Sequence, residues 1–143
     1  MLVALVAHDN CKSLLTDWSI RHHETLTRHR LMATATTGGW LTSHLELPVD
    51  TVNSGPWGGD QQIGSTIAEG RLGALVFFWD PLASHPHHAD VQALLRLATL
   101  HDVPTATNPA TADLLVESLL TATAPGVLTP TPHRPPARRA PDA

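Results

Sequence analysis

The chain of 143 residues has one cysteine, no tyrosine, two phenylalanines and a single lysine, Lys12, among nine basic residues. Each scarcity excludes something. A lone Cys11 cannot close an internal disulfide, so a disulfide-stapled scaffold is excluded. No apolar run approaches the length of a membrane span. No charged n-region followed by an apolar h-region opens the chain, so the expectation is a cytoplasmic protein with no membrane contact. Charged residues are only 15% of the chain and the net charge is −4, with no basic stripe before the last ten positions. That balance argues against a nucleic-acid partner. A charge-poor surface points toward self-association.

What is present is one domain's worth of alternating elements. Leu2 to Ala7 is an unbroken apolar run, the pattern of a strand buried on both faces of a parallel sheet. His8-Asp9-Asn10 follows, with Asp9 or Asn10 as a cap for a helix from Cys11 to Glu24 that turns Leu14, Leu15, Trp18 and Ile20 to the sheet. Cys11 at such a helix start has a lowered thiol pKa as one reading and plain burial as the other. Leu31 to Ala35 reads as a strand, Thr36-Thr37-Gly38-Gly39 as a turn, and Trp40 to Glu46 as a short helix stopped by Pro48. Val49 to Asn53 is a weaker strand. A glycine-rich loop from Ser54 to Asp60 then leads into a helix, Gln61 to Glu69, closed by Gly70 as a left-handed cap. Ala74 to Trp79 is the strongest strand. A loop rich in proline and histidine precedes a helix from Asp90 to His101, a last strand near Pro104 to Asn108 and a helix from Pro109 to Leu120. This alternation predicts an α/β fold: a single-domain, doubly wound, parallel five-stranded sheet with helices on both faces. The domain is expected over residues 1–120. Residues 121–143, with six of the twelve prolines, read as a disordered tail of low apolar content.

Polar residues gather at the predicted C-terminal ends of the strands, the rim where open α/β sheets bind ligands. Lys12, Thr34, Thr36, Thr37, Ser54 and the glycine amides offer a cation, hydroxyls and main-chain donors suited to a small phosphate. Each is also, alone, an ordinary cap or surface residue. No G-x-x-x-x-G-K-[ST] or G-x-G-x-x-G is present, so nucleotide triphosphates and dinucleotides lack their usual support. Asp60 reads equally as a helix cap or as a base. His87 and Asp90 lie three apart at a helix start, hence on one face. His85 and His88 read as loop histidines. A metal site of His85, His87, His88 and Asp90 lacks any supporting ligand spacing. Trp18, Trp40, Trp57 and Trp79 read as core or contact residues, with Trp57 as a possible pocket wall.

The strings Ser54-Gly55-Pro56, Gly58-Gly59-Asp60-Gln61-Gln62, Phe77-Phe78-Trp79-Asp80-Pro81-Leu82 and Ala106-Thr107-Asn108, with Ala4 to Asp9 and Lys12 before them, resemble the methylglyoxal synthase family over about residues 2–118. The resemblance implies a lyase without metal or cofactor that converts dihydroxyacetone phosphate to methylglyoxal and inorganic phosphate, as a homohexamer. It implies Asp60 as the base, His87 on the enediolate oxygens, and His8, Asp9 and Asp90 as orienting groups. Lys12, Thr34, Thr36, Thr37, Ser54 and Gly55 would hold the phosphate, with phosphate also a possible regulator. The family's tail ends in an arginine that reaches a neighbouring subunit's phosphate; Arg134, Arg138 and Arg139 match no such motif. The rival readings are a phosphate-sensing binding module, which would need the cradle and not the base, and an isomerase, for which the loops lack a glutamate.

Overall fold

The computed structural model describes residues 1–121. Of the tail expected to be disordered, only Thr121 falls within that range; Arg134, Arg138 and Arg139 lie outside the described residues.

Five parallel strands form one sheet in the order β3-β2-β1-β4-β5: β1 (Leu2–Ala7), β2 (Arg30–Thr34), β3 (Val49–Val52), β4 (Ala74–Phe78) and β5 (Thr105–Ala106). The apolar runs explain the centre. Every residue of β4 and all but the first of β1 are buried, because helices cover both faces of these strands. β3 at the edge is Val-Asp-Thr-Val with its middle residues exposed, which is why its sequence signal is weak. Among the described residues six α-helices connect and flank the strands: α1 (Lys12–Arg21), α2 (His23–Leu26), α3 (Ala35–Leu45), α4 (Gly59–Ala68), α5 (His88–Leu100) and α6 (Pro109–Leu115).

Side-chain alternation along β1 divides the core into two layers. Val3, Leu5 and Ala7 pack with Leu15 and Trp18 of α1, Leu41 of α3 and Ala112 of α6. Ala4 and Val6 pack with Ile63 and Ile67 of α4 and with Val91, Leu94 and Ala98 of α5. The chain direction of strand order reverses between β1 and β4, the position at which doubly wound sheets open a crevice.

Three local expectations change. The first helix is shorter and broken: a 3-10 turn over Asp9–Cys11 precedes α1, and the helix breaks at His22, whose φ of −109° and ψ of 19° separate α1 from α2. Leu15 and Trp18 face the sheet, but Leu14 is 46% and Ile20 52% exposed, because the apolar stripe is narrower than four residues. Thr36-Thr37-Gly38-Gly39 is not a turn. It forms the first turns of α3, where Gly38 is needed for packing: a Cβ there would meet Thr51 Cγ2 of β3 at 2.5 Å. The last helix passes at Val116 into a single π turn, Val116–Leu120. Other expectations hold as made: Gly70 takes a φ of 73° after α4, and Pro109 opens α6 behind Asn108, whose Oδ1 accepts from the Thr111 N–H at 2.9 Å.

Candidate active site

The loops after β1, β2 and β3 and the loop before α5 meet over the crevice and enclose a cavity of about 340 Å³. Its lining includes His8, Asp9, Lys12, Thr34, Thr36, Ser54, Gly55, Asp60 and His87, together with His85. Residues spread over 80 positions of sequence are thus brought to one rim, as the alternation of strands and helices predicts.

One wall suits an anion. Lys12 opens α1, Thr36 lies in the first turn of α3, and Ser54 and Gly55 precede α4, so three helix N-termini border the same space. Lys12 Nζ donates to Asp9 Oδ1 at 2.7 Å, and this bond, with the lysine's charge, holds the Asp9 carboxyl below its ordinary range. Neither Asp9 nor Asn10 caps a helix. Asp9 is spent on Lys12, and Asn10 Nδ2 donates to Asp80 Oδ2 at 2.8 Å across the crevice.

The opposite wall suits proton chemistry. Asp60 in the first turn of α4 is 2% exposed, and its Oδ2 has no hydrogen-bond partner among the described residues. It therefore caps nothing. Burial pushes its carboxyl above the ordinary range; the nearby His87 opposes this and the charge of Asp90 reinforces it. His87 Nε2 stands 3.9 Å from Asp60 Oδ2, beyond hydrogen-bond range. The His87 ring lies over Gly55, where a Cβ would come within 2.8 Å of Nε2. Only glycine allows that approach.

His8 joins the two walls at the end of β1. The Asp80 backbone N–H donates to His8 Nδ1 at 3.0 Å, so the neutral ring carries its proton on Nε2. That Nε2 is buried without a partner among the described residues. Burial, followed by the neighbouring His85 and His87, lowers the His8 imidazole to about 4, while the carboxylates of Asp80 and Asp9 oppose the fall.

Two predicted site residues do not face this cavity. Thr37 is buried and lines a mostly apolar cavity between α1 and α3 with Leu15, Trp40 and Leu41. Successive residues of a helix point about 100° apart, and Thr36 borders both cavities whereas Thr37 borders only the apolar one. Asp90 lines the groove between α4 and α5 and not this cavity, although both it and His87 act on Asp60. Asp60 borders both spaces and stands between the two. Cys11 follows the burial reading and not the lowered-pKa one: burial, with Asp80 beside it, raises the thiol pKa. Trp57 is 81% exposed at the cavity mouth, and Trp18 is core. His85, read as a loop residue, packs against His8 with ring centroids 3.9 Å apart. Its sequence signals are its place two residues before His87 and its membership of the histidine-rich loop. Among the described residues, no helix is long and apolar enough to cross a membrane.

Residues 15–107 match the family model of the MGS-like domain. The chain is 54% identical to the methylglyoxal synthase of Pectobacterium atrosepticum over 118 residues, which is 82% of this chain and 78% of the relative. It is 56% identical to that of Pseudoalteromonas atlantica over the same share of this chain and 87% of the relative. The crystal structure of methylglyoxal synthase from Elizabethkingia anophelis NUHP1 superposes with a TM-score of 0.79 at 44% identity, covering 85% of this chain and 80% of that one.

Proposed function

Because the chain belongs to the methylglyoxal synthase family and is an enzyme of that kind, we propose that it converts dihydroxyacetone phosphate to methylglyoxal and inorganic phosphate, with Asp60 as the base. The observation that carries this reading is the buried, unpartnered Asp60 carboxylate beside His87 on one wall of a cavity whose other wall suits an anion. A carboxylate kept from water and above its usual pKa is a stronger base than one in solution.

Asp60 takes a proton from the hydroxymethyl carbon of the substrate. The electron pair moves onto the carbonyl oxygen, giving an enediolate that accepts hydrogen bonds from His8 Nε2–H and His87. The hydroxyl on the deprotonated carbon then gives its proton to the departing phosphate and becomes the aldehyde carbonyl, shifting the carbon–carbon double bond to the far carbon and expelling phosphate. The enolate left behind becomes methylglyoxal by taking up at that carbon a proton equivalent to the one Asp60 removed. Lys12, the hydroxyls of Thr34, Thr36 and Ser54 and the Gly55 amide hold the phosphate throughout. Asp9 tethers Lys12, and Asp90 raises the basicity of Asp60 from behind without touching substrate.

The same cradle would rebind product phosphate, which is the basis for phosphate as a regulator. Exposed apolar side chains such as Ile20 and Leu114 support self-association, for which a homohexamer is the assembly we infer, in the cytoplasm.

Purified protein incubated with dihydroxyacetone phosphate, without added metal, should release methylglyoxal and phosphate in equal amounts. Tight binding of substrate with no methylglyoxal formed would replace the lyase with a binding module. Lys12→Met should lower kcat/KM by roughly 10- to 100-fold, most of it through KM, since one charge-assisted contact to phosphate is lost. Steady-state kinetics alongside inorganic phosphate inhibition checks this, because the inhibition constant should rise with KM.

A further inference from the structure

Three imidazoles meet at the rim: His8 and His85 at 3.9 Å with a 40° tilt, His8 and His87 at 5.6 Å, and His85 and His87 at 5.5 Å. Among the described residues no three His, Cys, Asp or Glu side chains are placed to share a metal ion. The cluster therefore needs another account. His8 and His87 have one in the reaction. His85 has none, although it lines the same cavity and its Nε2 is buried without a partner among the described residues.

We propose that His85 is a positioning residue: its ring, stacked on His8, holds the His8 imidazole in the neutral form and orientation that presents Nε2–H to the substrate.

The geometry around His8 shows what would otherwise compete. On one side the Asp80 N–H donates to Nδ1, so a proton added there would set two donors against each other. On the other, the edge of Phe77 meets the ring at a centroid distance of 5.3 Å. The remaining face is covered by His85. Removing His85 would let water reach the ring and let the imidazole turn away from the Asp80 N–H. The charged groups that face His8 are Asp9 from the 3-10 turn, paired with Lys12 of α1, and Asp80 after β4. Asp60 of α4 lies beyond His87. Asp9 and Asp80 both favour a proton on His8, and the burial that His85 helps to supply opposes it.

The proposal rests on the reading of His8 as a hydrogen-bond donor to substrate oxygen, and its test has an arm that uses no substrate. Nitrogen-15 histidine spectra of the full chain, with the His8 signal identified by His8→Gln, report the tautomer and the titration midpoint directly. In the parent protein the neutral Nε2–H tautomer should persist down to a midpoint near 4. In His85→Ala the midpoint should rise by about one pH unit, as expected for a histidine returned to water. There kcat at neutral pH should fall about tenfold while KM changes less than about twofold, the pattern of a lost transition-state contact. His85→Phe keeps the stacked ring and should restore the tautomer and most of kcat. An unmoved His8 midpoint in a folded His85→Ala overturns the proposal, as does a His85→Phe variant that loses the tautomer as fully as alanine. If dihydroxyacetone phosphate is not turned over at all, the reading of the reaction fails while the spectra still decide what His85 does to His8.

Discussion

Asp60→Asn should lower kcat by roughly 10²- to 10⁴-fold, the range associated with a positioned proton acceptor, and leave the affinity for inorganic phosphate within about twofold of the parent. The split follows from the two walls of the cavity. The anion wall contains none of the α4 carboxylate, and asparagine keeps the shape of the side chain. Stability should move the other way. A carboxylate at 2% exposure with an unpartnered oxygen opposes folding when charged. Because burial raises its pKa in the folded state, the unfolded chain ionises first. The destabilisation is absent at pH values below the ordinary carboxyl pKa of 3.8 and grows as pH rises from there through the folded pKa. Asp60→Asn should therefore melt at a higher temperature than the parent at pH 7 and at the same temperature near pH 3. Thermal unfolding at the two pH values, beside kinetics at pH 7, measures both halves. Retained turnover would remove Asp60 from the role of base, whatever its effect on stability.

Gly55→Ala should cost about 10²-fold in kcat with little loss of fold, the penalty expected when a catalytic group is displaced by about 1 Å. An added Cβ would meet His87 Nε2 at 2.8 Å, Cδ2 at 3.2 Å and Cε1 at 3.5 Å, so the methyl group presses against the face of the ring. The obstacle is the end of a side chain and not backbone. His87 gives way and the 3-10 turn Gly55–Trp57 stays. The outcome to look for is a thermal midpoint close to the parent's beside the loss of kcat. A midpoint that collapses with the activity would mean that Gly55 serves the fold and not His87. Full activity would mean that His87 works from elsewhere.

The sheet was legible because its central strands are buried on both faces. Leu2 to Ala7 and Ala74 to Phe78 carry continuous apolar runs that nothing else in an α/β chain requires. Edge strands and helix starts were harder to read. Thr36-Thr37-Gly38-Gly39 has the composition of a turn, and only contact with Thr51 reveals that Gly38 is a packing residue inside α3. The rim could be anticipated because it follows from topology. Which way each side chain points on that rim could not, since it depends on helix phase: Thr36 borders both the crevice and the apolar cavity behind it, and Thr37 only the latter. The same limit explains Asp90, which faces the α4–α5 groove, and His85, which no spacing rule distinguishes from its exposed neighbour His88.

The reversal of strand order between β1 and β4 gives the cavity a seam. On one side lie groups carried by or before α1 and α3, and on the other those of α4 and the approach to α5. His8 stands on the seam. On the proposed reading, Lys12, Thr34 and Thr36 of the phosphate cradle lie apart from Asp60 and His87, Ser54 and Gly55 on the turn into α4 bridge the two groups, and the cores behind them meet through β1 and its neighbouring strands. On that reading, substitutions confined to the α1–α3 side would retune most of the grip on the anionic group without touching Asp60, whereas changes near His87 would also reach Gly55 of the grip. A scaffold divided in this way can diversify one half at a time.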